Sequence, residues 1–125
     1  MSPEVRLNHI GIYVKDLERS LNFYKETLGL HESYRFGIGE AKIAVINVSG
    51  SLLELIQRPG APAKPPEGSR IHIAFHVRDF KLLEKGLEER GIQLRKAARD
   101  DGSSIAFFKD PDGHDIEIME KGLSQ

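Results

Sequence analysis

At 125 residues the chain has the length of one domain and enough residues to bury a core. Its 18 basic and 19 acidic side chains nearly cancel, so no charge surplus points to nucleic acid or to a membrane surface. There is no cysteine, which excludes disulfides, thiolate metal sites and a cysteine nucleophile. With no apolar leader-like stretch at the start and no run approaching a membrane span, a cytoplasmic protein is the expectation.

Residues 6–14 alternate in polarity as a strand does, with Ile10, Ile12 and Val14 on one face and His9, Gly11 and Tyr13 on the other. Asp16 is a suitable N-cap for a helix whose apolar residues Leu17, Leu21, Tyr24 and Leu28 recur at helical spacing, and Gly29 ends it. Strands follow over 31–37, 41–48 and 51–58, the last two flanking Ser49-Gly50. Residues 59–69 hold four of the six prolines and read as a linker. Beyond it the order recurs: a strand over 71–78, a helix capped by Asp79 and running to about Arg90, Gly91, then strands near 92–96, 104–109 and 114–120. Asp110-Pro111-Asp112-Gly113 joins the last two as a type I turn.

The recurrence extends to residue identity. His9, Val14, Lys15 and Asp16 fall on His72, Val77, Arg78 and Asp79, each 63 residues on, and Leu53-Glu54-Leu55 falls on Ile116-Glu117-Ile118 at the same offset. Two copies are too few for a solenoid and fit an internally duplicated domain. In each copy a histidine in the first strand and a glutamate in the last lie opposite the apolar residues of their strands. If the helices cover the apolar face, His9, Glu54, His72 and Glu117 all project from the uncovered one. A carboxylate flanked by leucines or isoleucines is costly to bury without a cation or strong donors.

A single strand histidine or glutamate is more often a packed or solvated side chain, and a duplicated ancestor would preserve both without function. Repetition of both types favours a metal reading. Two imidazoles and two carboxylates suit nickel, cobalt, zinc, manganese or ferrous iron, with positions left for water or substrate. An open ion of this kind stabilises developing negative charge, and an adjacent carboxylate can move a proton from carbon. The implied reaction is proton abstraction beside a carbonyl, through a metal-bound enediolate.

His-Ile-Gly-Ile-Tyr-Val at 9–14, Leu-Glu-Leu at 53–55, His-Ile-Ala-Phe at 72–75 and Asp-Pro-Asp-Gly-His-Asp-Ile-Glu-Ile at 110–118 resemble the motifs of the vicinal oxygen chelate superfamily over about residues 6–120. The resemblance implies an α+β fold of two tandem βαβββ modules forming a curved eight-stranded mixed sheet with helices on its outer face. It also implies a single domain over 1–125, with module one at about 6–58 and module two at about 70–120. The four ligand positions are closest in motif to glyoxalase I, a lyase with metal ligands His9, Glu54, His72 and Glu117. Glu117 is the favoured base and Glu54 its pseudo-symmetric partner. Gln57 and Arg58 stand where glyoxalase I often has residues that hold glutathione, which leaves the thiol open.

Other superfamily activities are alternatives: a methylmalonyl-CoA epimerase-like isomerase, a metal-free binding protein of the bleomycin-resistance type, and a dioxygenase or thiol transferase that needs two histidines and only the last glutamate. Homodimerisation and a small-molecule substrate are implied as well, with no nucleic acid or membrane partner. Tyr13 and His76, also 63 apart, are expected to line the cavity or to pack at the sheet's end. Arg35, Arg58, Arg70, Arg95 and Arg99 are the cations that could meet an anionic substrate.

Overall fold

The computed structural model describes residues 3–124. Its elements are β1 (His9–Tyr13), α1 (Leu17–Leu28), β2 (Glu32–Ile38), β3 (Ala41–Val48), β4 (Ser51–Gln57), β5 (His72–His76), α2 (Phe80–Glu89), β6 (Arg95–Ala98), β7 (Ser104–Lys109) and β8 (Asp115–Met119). The architecture is α+β, a βαβββ module written twice, and the chain divides into two compact units between Lys64 and Pro65. The strands form two four-stranded mixed sheets, ordered β1-β4-β3-β2 and β5-β8-β7-β6. No helix among the described residues is long and apolar enough to cross a membrane.

In the first unit β1 runs parallel to β4, while β2–β3 and β3–β4 are antiparallel. The parallel pair needs a long crossover, which α1 and the β2–β3 hairpin supply. Asp16 caps α1: its backbone is extended and its carboxylate accepts from the Arg19 amide at 3.0 Å. At the other end Gly29 adopts φ 68°, and the amides of Gly29 and Leu30 donate to the carbonyls of Lys25 and Tyr24. That left-handed residue is one only glycine takes without strain.

The buried stripe of α1 is Leu17, Ser20, Tyr24 and Thr27, rather than one that includes Leu21 and Leu28, which flank it half-buried. Small side chains bring the helix close to β3 and β4. Thr27 returns its hydroxyl to the Phe23 carbonyl at 2.6 Å, so its burial leaves no unpaired donor. The core face of the sheet is as the alternation required: Ala44, Ile46, Leu53 and Leu55 are buried.

The second unit repeats the plan, with β5 parallel to β8 and β6–β7–β8 antiparallel. Phe80, Leu87, Ala106, Phe108, Ile116 and Ile118 form its core. Two expectations need correction. Asp79 precedes α2 but makes no side-chain cap, its backbone lying at φ −101° and ψ 63° rather than in the extended region an N-cap uses. The strand expected near 92–96 begins at Arg95. Gly91 (φ 79°) and Ile92 are spent closing α2, their amides donating to the Glu88 and Leu87 carbonyls at 3.0 Å.

Asp110 is buried and holds the β7–β8 connection, its carboxylate accepting from the Asp112 and His114 amides at 2.9 Å. The turn thereby fixes the register that sets Phe107 opposite Glu117.

Candidate metal centre

Each module builds the same diagonal contact. His9 lies opposite Leu52 and Gly11 opposite Glu54, so the histidine and glutamate sit on one face of neighbouring strands, one side-chain step apart. His9 Nε2 stands 3.6 Å from Glu54 Oε1. In the second module His72 lies opposite Asp115 and Ala74 opposite Glu117, and His72 Nε2 stands 3.1 Å from Glu117 Oε1. The imidazoles are part-exposed; the carboxylates are mostly covered, Glu117 being only 9 % exposed between Ile116 and Ile118 at 0 %.

The other nitrogen of each ring is engaged. His72 Nδ1 is 3.0 Å from the Arg70 carbonyl, and His9 Nδ1 is 2.7 Å from the Asn8 side-chain oxygen. Both oxygens only accept, so each suits a proton on Nδ1, and each Nε2 faces a carboxylate. That contact is favourable with a proton on Nε2 or with a cation between the two atoms. A nitrogen and an oxygen donor, oriented from behind and partly shielded from water, fit a divalent ion.

The structure thus brings His9 to Glu54 and His72 to Glu117. Among the described residues no group of three or more His, Cys, Asp or Glu side chains stands ready around one ion. Each pair is therefore half of the expected ligand set.

Gly11 is fitted to the first pair. A Cβ there would lie 3.2 Å from Glu54 Oε1 and 3.4 Å from Ile56 Cδ1. Gly11→Ala is expected to displace the Glu54 carboxylate by a few tenths of an ångström. Metal titration should show weaker binding, by up to about tenfold, the loss typical of a disturbed ligand support, with the circular dichroism spectrum retained.

Sequence reasoning missed three neighbours. Phe107 sets its ring edge-on to His72, 5.8 Å between centroids. Its place follows from alternation along β7, where Ala106 and Phe108 are buried on the other face. Nothing in the sequence marked Asn8 or the Arg70 carbonyl as ring-orienting groups. Tyr13 and His76 lie on the ligand face, opposite Ile56 and Met119. Of the candidate cations, Arg35 is committed to Glu18 and Glu32, each at 2.6 Å, which hold its charge more firmly than usual. Arg99 is engaged with Ser103 and Asp101, and Arg95 lies 3.2 Å from Asp115.

Known proteins share this framework. The chain is 34 % identical to the glutathione transferase FosA of Serratia marcescens, over 94 % of its own length and 82 % of that protein's. It is 32 % identical to glyoxalase I of Saccharomyces cerevisiae, where 94 % of this chain matches 44 % of the longer yeast protein. Among solved structures, the glyoxalase family protein from Enterococcus faecalis superposes with a TM-score of 0.77 at 26 % identity, covering 92 % of this chain and 97 % of that one. The family model that describes the Glyoxalase/Bleomycin resistance protein/Dioxygenase superfamily matches residues 6–118, and the chain belongs to that superfamily.

Proposed function

We propose that this chain is a metal-dependent lyase or isomerase of the glyoxalase I kind, with His9, Glu54, His72 and Glu117 as ligands of one divalent ion. Both modules then serve as one domain, and the chain works as a homodimer on a small-molecule substrate in the cytoplasm. The observation that carries the reading is the repeated pair: an imidazole Nε2 facing a shielded carboxylate, built twice from equivalent strands. A bound divalent ion supplies charge stabilisation to substrate oxygens as a neighbouring carbon loses its proton. The chain's own part is to move that proton. Glu117, set between two buried isoleucines, takes it from the carbon beside the carbonyl and returns it to the adjacent carbon. Glu54 occupies the equivalent place in the first module and serves the opposite face of the substrate. His9 and His72 bind through Nε2, with Nδ1 anchored by Asn8 and by the Arg70 carbonyl.

The test is elemental analysis of the purified protein, followed by an ultraviolet assay with methylglyoxal and a panel of thiols. Isomerase activity that disappears with the metal and returns with it is the expected result. Full activity in a metal-stripped sample would end the reading.

A second reading is supported by the 34 % identity to a glutathione transferase. A thiol transferase that needs only two histidines and the last glutamate would tolerate loss of Glu54. Glu54→Gln separates the two. The isomerase reading expects metal affinity to fall by about tenfold or more, since a first-sphere carboxylate is lost; the transferase reading expects the metal to stay and thiol transfer to persist.

A further inference from the structure

The two ligand faces share a backbone plan and differ in what surrounds the pair. In the first module the row through the glutamate runs Gly11, Glu54, Val45, Tyr34; in the second it runs Ala74, Glu117, Phe107, Arg95. The row through the histidine runs His9, Leu52, Asn47 in one and His72, Asp115, Lys109 in the other. Neutral residues in the first module are thus replaced by two cations and one carboxylate in the second.

With Glu117, whose counterpart Glu54 recurs in the first module, the second face carries two cations and two carboxylates. Lys109 Nζ lies 2.6 Å from Asp115 Oδ1, and Arg95 Nη2 lies 3.2 Å from the same oxygen. One carboxylate thus serves two cations, with the lysine the closer. Arg95 can leave Asp115 without exposing an unpaired carboxylate. Its guanidinium carbon stands 5.2 Å from the centre of the Phe107 ring, whose other neighbour is His72. The planar cation is therefore held by stacking on the ring beside the ligand pair while its outward donors remain open to solvent. Lys96, next along β6, points the other way, towards Glu84 and Glu88 of α2, which confirms the face on which Arg95 stands.

We propose that Arg95 is a specificity-determining residue: its guanidinium, stacked on Phe107 beside the His72–Glu117 pair, receives an anionic substituent, a carboxylate or a phosphonate, on the ligand whose oxygens bind the ion. This rests on the metal reading above. A fork of parallel N–H donors matches either oxyanion.

The test uses the full chain loaded with zinc or nickel, titrated calorimetrically with three probes that share one chelating head. Acetohydroxamate carries no further charge, malonic acid monohydroxamate adds a carboxylate, and phosphonoacetohydroxamate adds a phosphonate. The wild type is expected to prefer an anionic probe over acetohydroxamate by about tenfold or more, the worth of one charged hydrogen bond. The anionic arm with the larger preference identifies the oxyanion.

Arg95→Gln should bring that ratio close to one, Arg95→Lys should restore part of it, and salt near 1 M should shrink it in the wild type. A preference that survives Arg95→Gln, or that ignores salt, overturns the assignment. If acetohydroxamate fails to bind the wild type at all, the metal reading has failed and the role of Arg95 falls with it.

Discussion

Glu117→Gln is expected to abolish most of the thermal stabilisation that a divalent ion gives this protein. An ion that binds only the folded chain stabilises it by about 4 kcal/mol at 1,000 times its dissociation constant, which for a domain of this size raises the melting temperature by about 10 °C or more. The glutamine keeps the volume and one carbonyl oxygen but loses the negative charge, at a position only 9 % exposed. Affinity should fall by about a hundredfold or more. Scanning calorimetry of wild type and variant, with and without added zinc or nickel, reads this directly. The metal-free forms should melt close together, because the carboxylate has only His72 to set against the cost of its own burial. Equal metal-induced shifts in both proteins would remove Glu117 from the ligand set.

The largest stability loss is expected at Tyr24. It is the bulkiest fully buried side chain, 0 % exposed on the inner face of α1, with its ring edge-on to Phe23 at 5.6 Å. Tyr24→Ala removes the aromatic volume that separates α1 from β3 and β4, and such truncations cost about 3–5 kcal/mol, a large part of the 5–15 kcal/mol that holds a typical domain together. Leu87, the residue 63 positions on, is likewise buried on α2, so Leu87→Ala should cost about 2–5 kcal/mol. Urea titrations followed by circular dichroism measure both. Because the chain divides into two compact units, a sufficiently destabilised variant should show an early transition confined to the damaged unit. A loss below about 1 kcal/mol at Tyr24 would mean that the helix packs elsewhere.

Much of the fold was legible because the sequence states it twice. Strands β1 and β5 begin at His9 and His72, 63 residues apart, and Gly50 and Gly113 at the same spacing both adopt positive φ, 95° and 91°. Alternation around Glu54 and Glu117 placed their neighbours in the core, since a period of two admits no other arrangement. Where the repeat is uneven, the reading slipped. Helix α1 has 12 residues and α2 has 10, so β6 carries Arg95 in the row where β2 carries Tyr34, 61 residues apart. The paired positions Phe107 and Glu117 lie 10 residues apart where Val45 and Glu54 lie 9 apart, so Phe107 rather than the residue 63 positions after Val45 faces Glu117.

These shifts decide which side chains surround the two ligand pairs, and no single periodicity reports them. The buried helical stripe was harder still. Ser20 and Thr27 are polar in composition, and only their packing distance from the sheet makes them core. The His–Glu contacts themselves follow from parallel pairing of the first and last strand of each module, which polarity patterns do not specify.

The central claim is that two such pairs grip one ion, and its most direct test is the number of divalent ions bound per chain at equilibrium, measured by dialysis and elemental analysis for the wild type, His9→Ala and His72→Ala. One ion per chain in the wild type, lost from either variant, is the predicted outcome. Two ions per chain, none, or a site that survives removal of one histidine would contradict it.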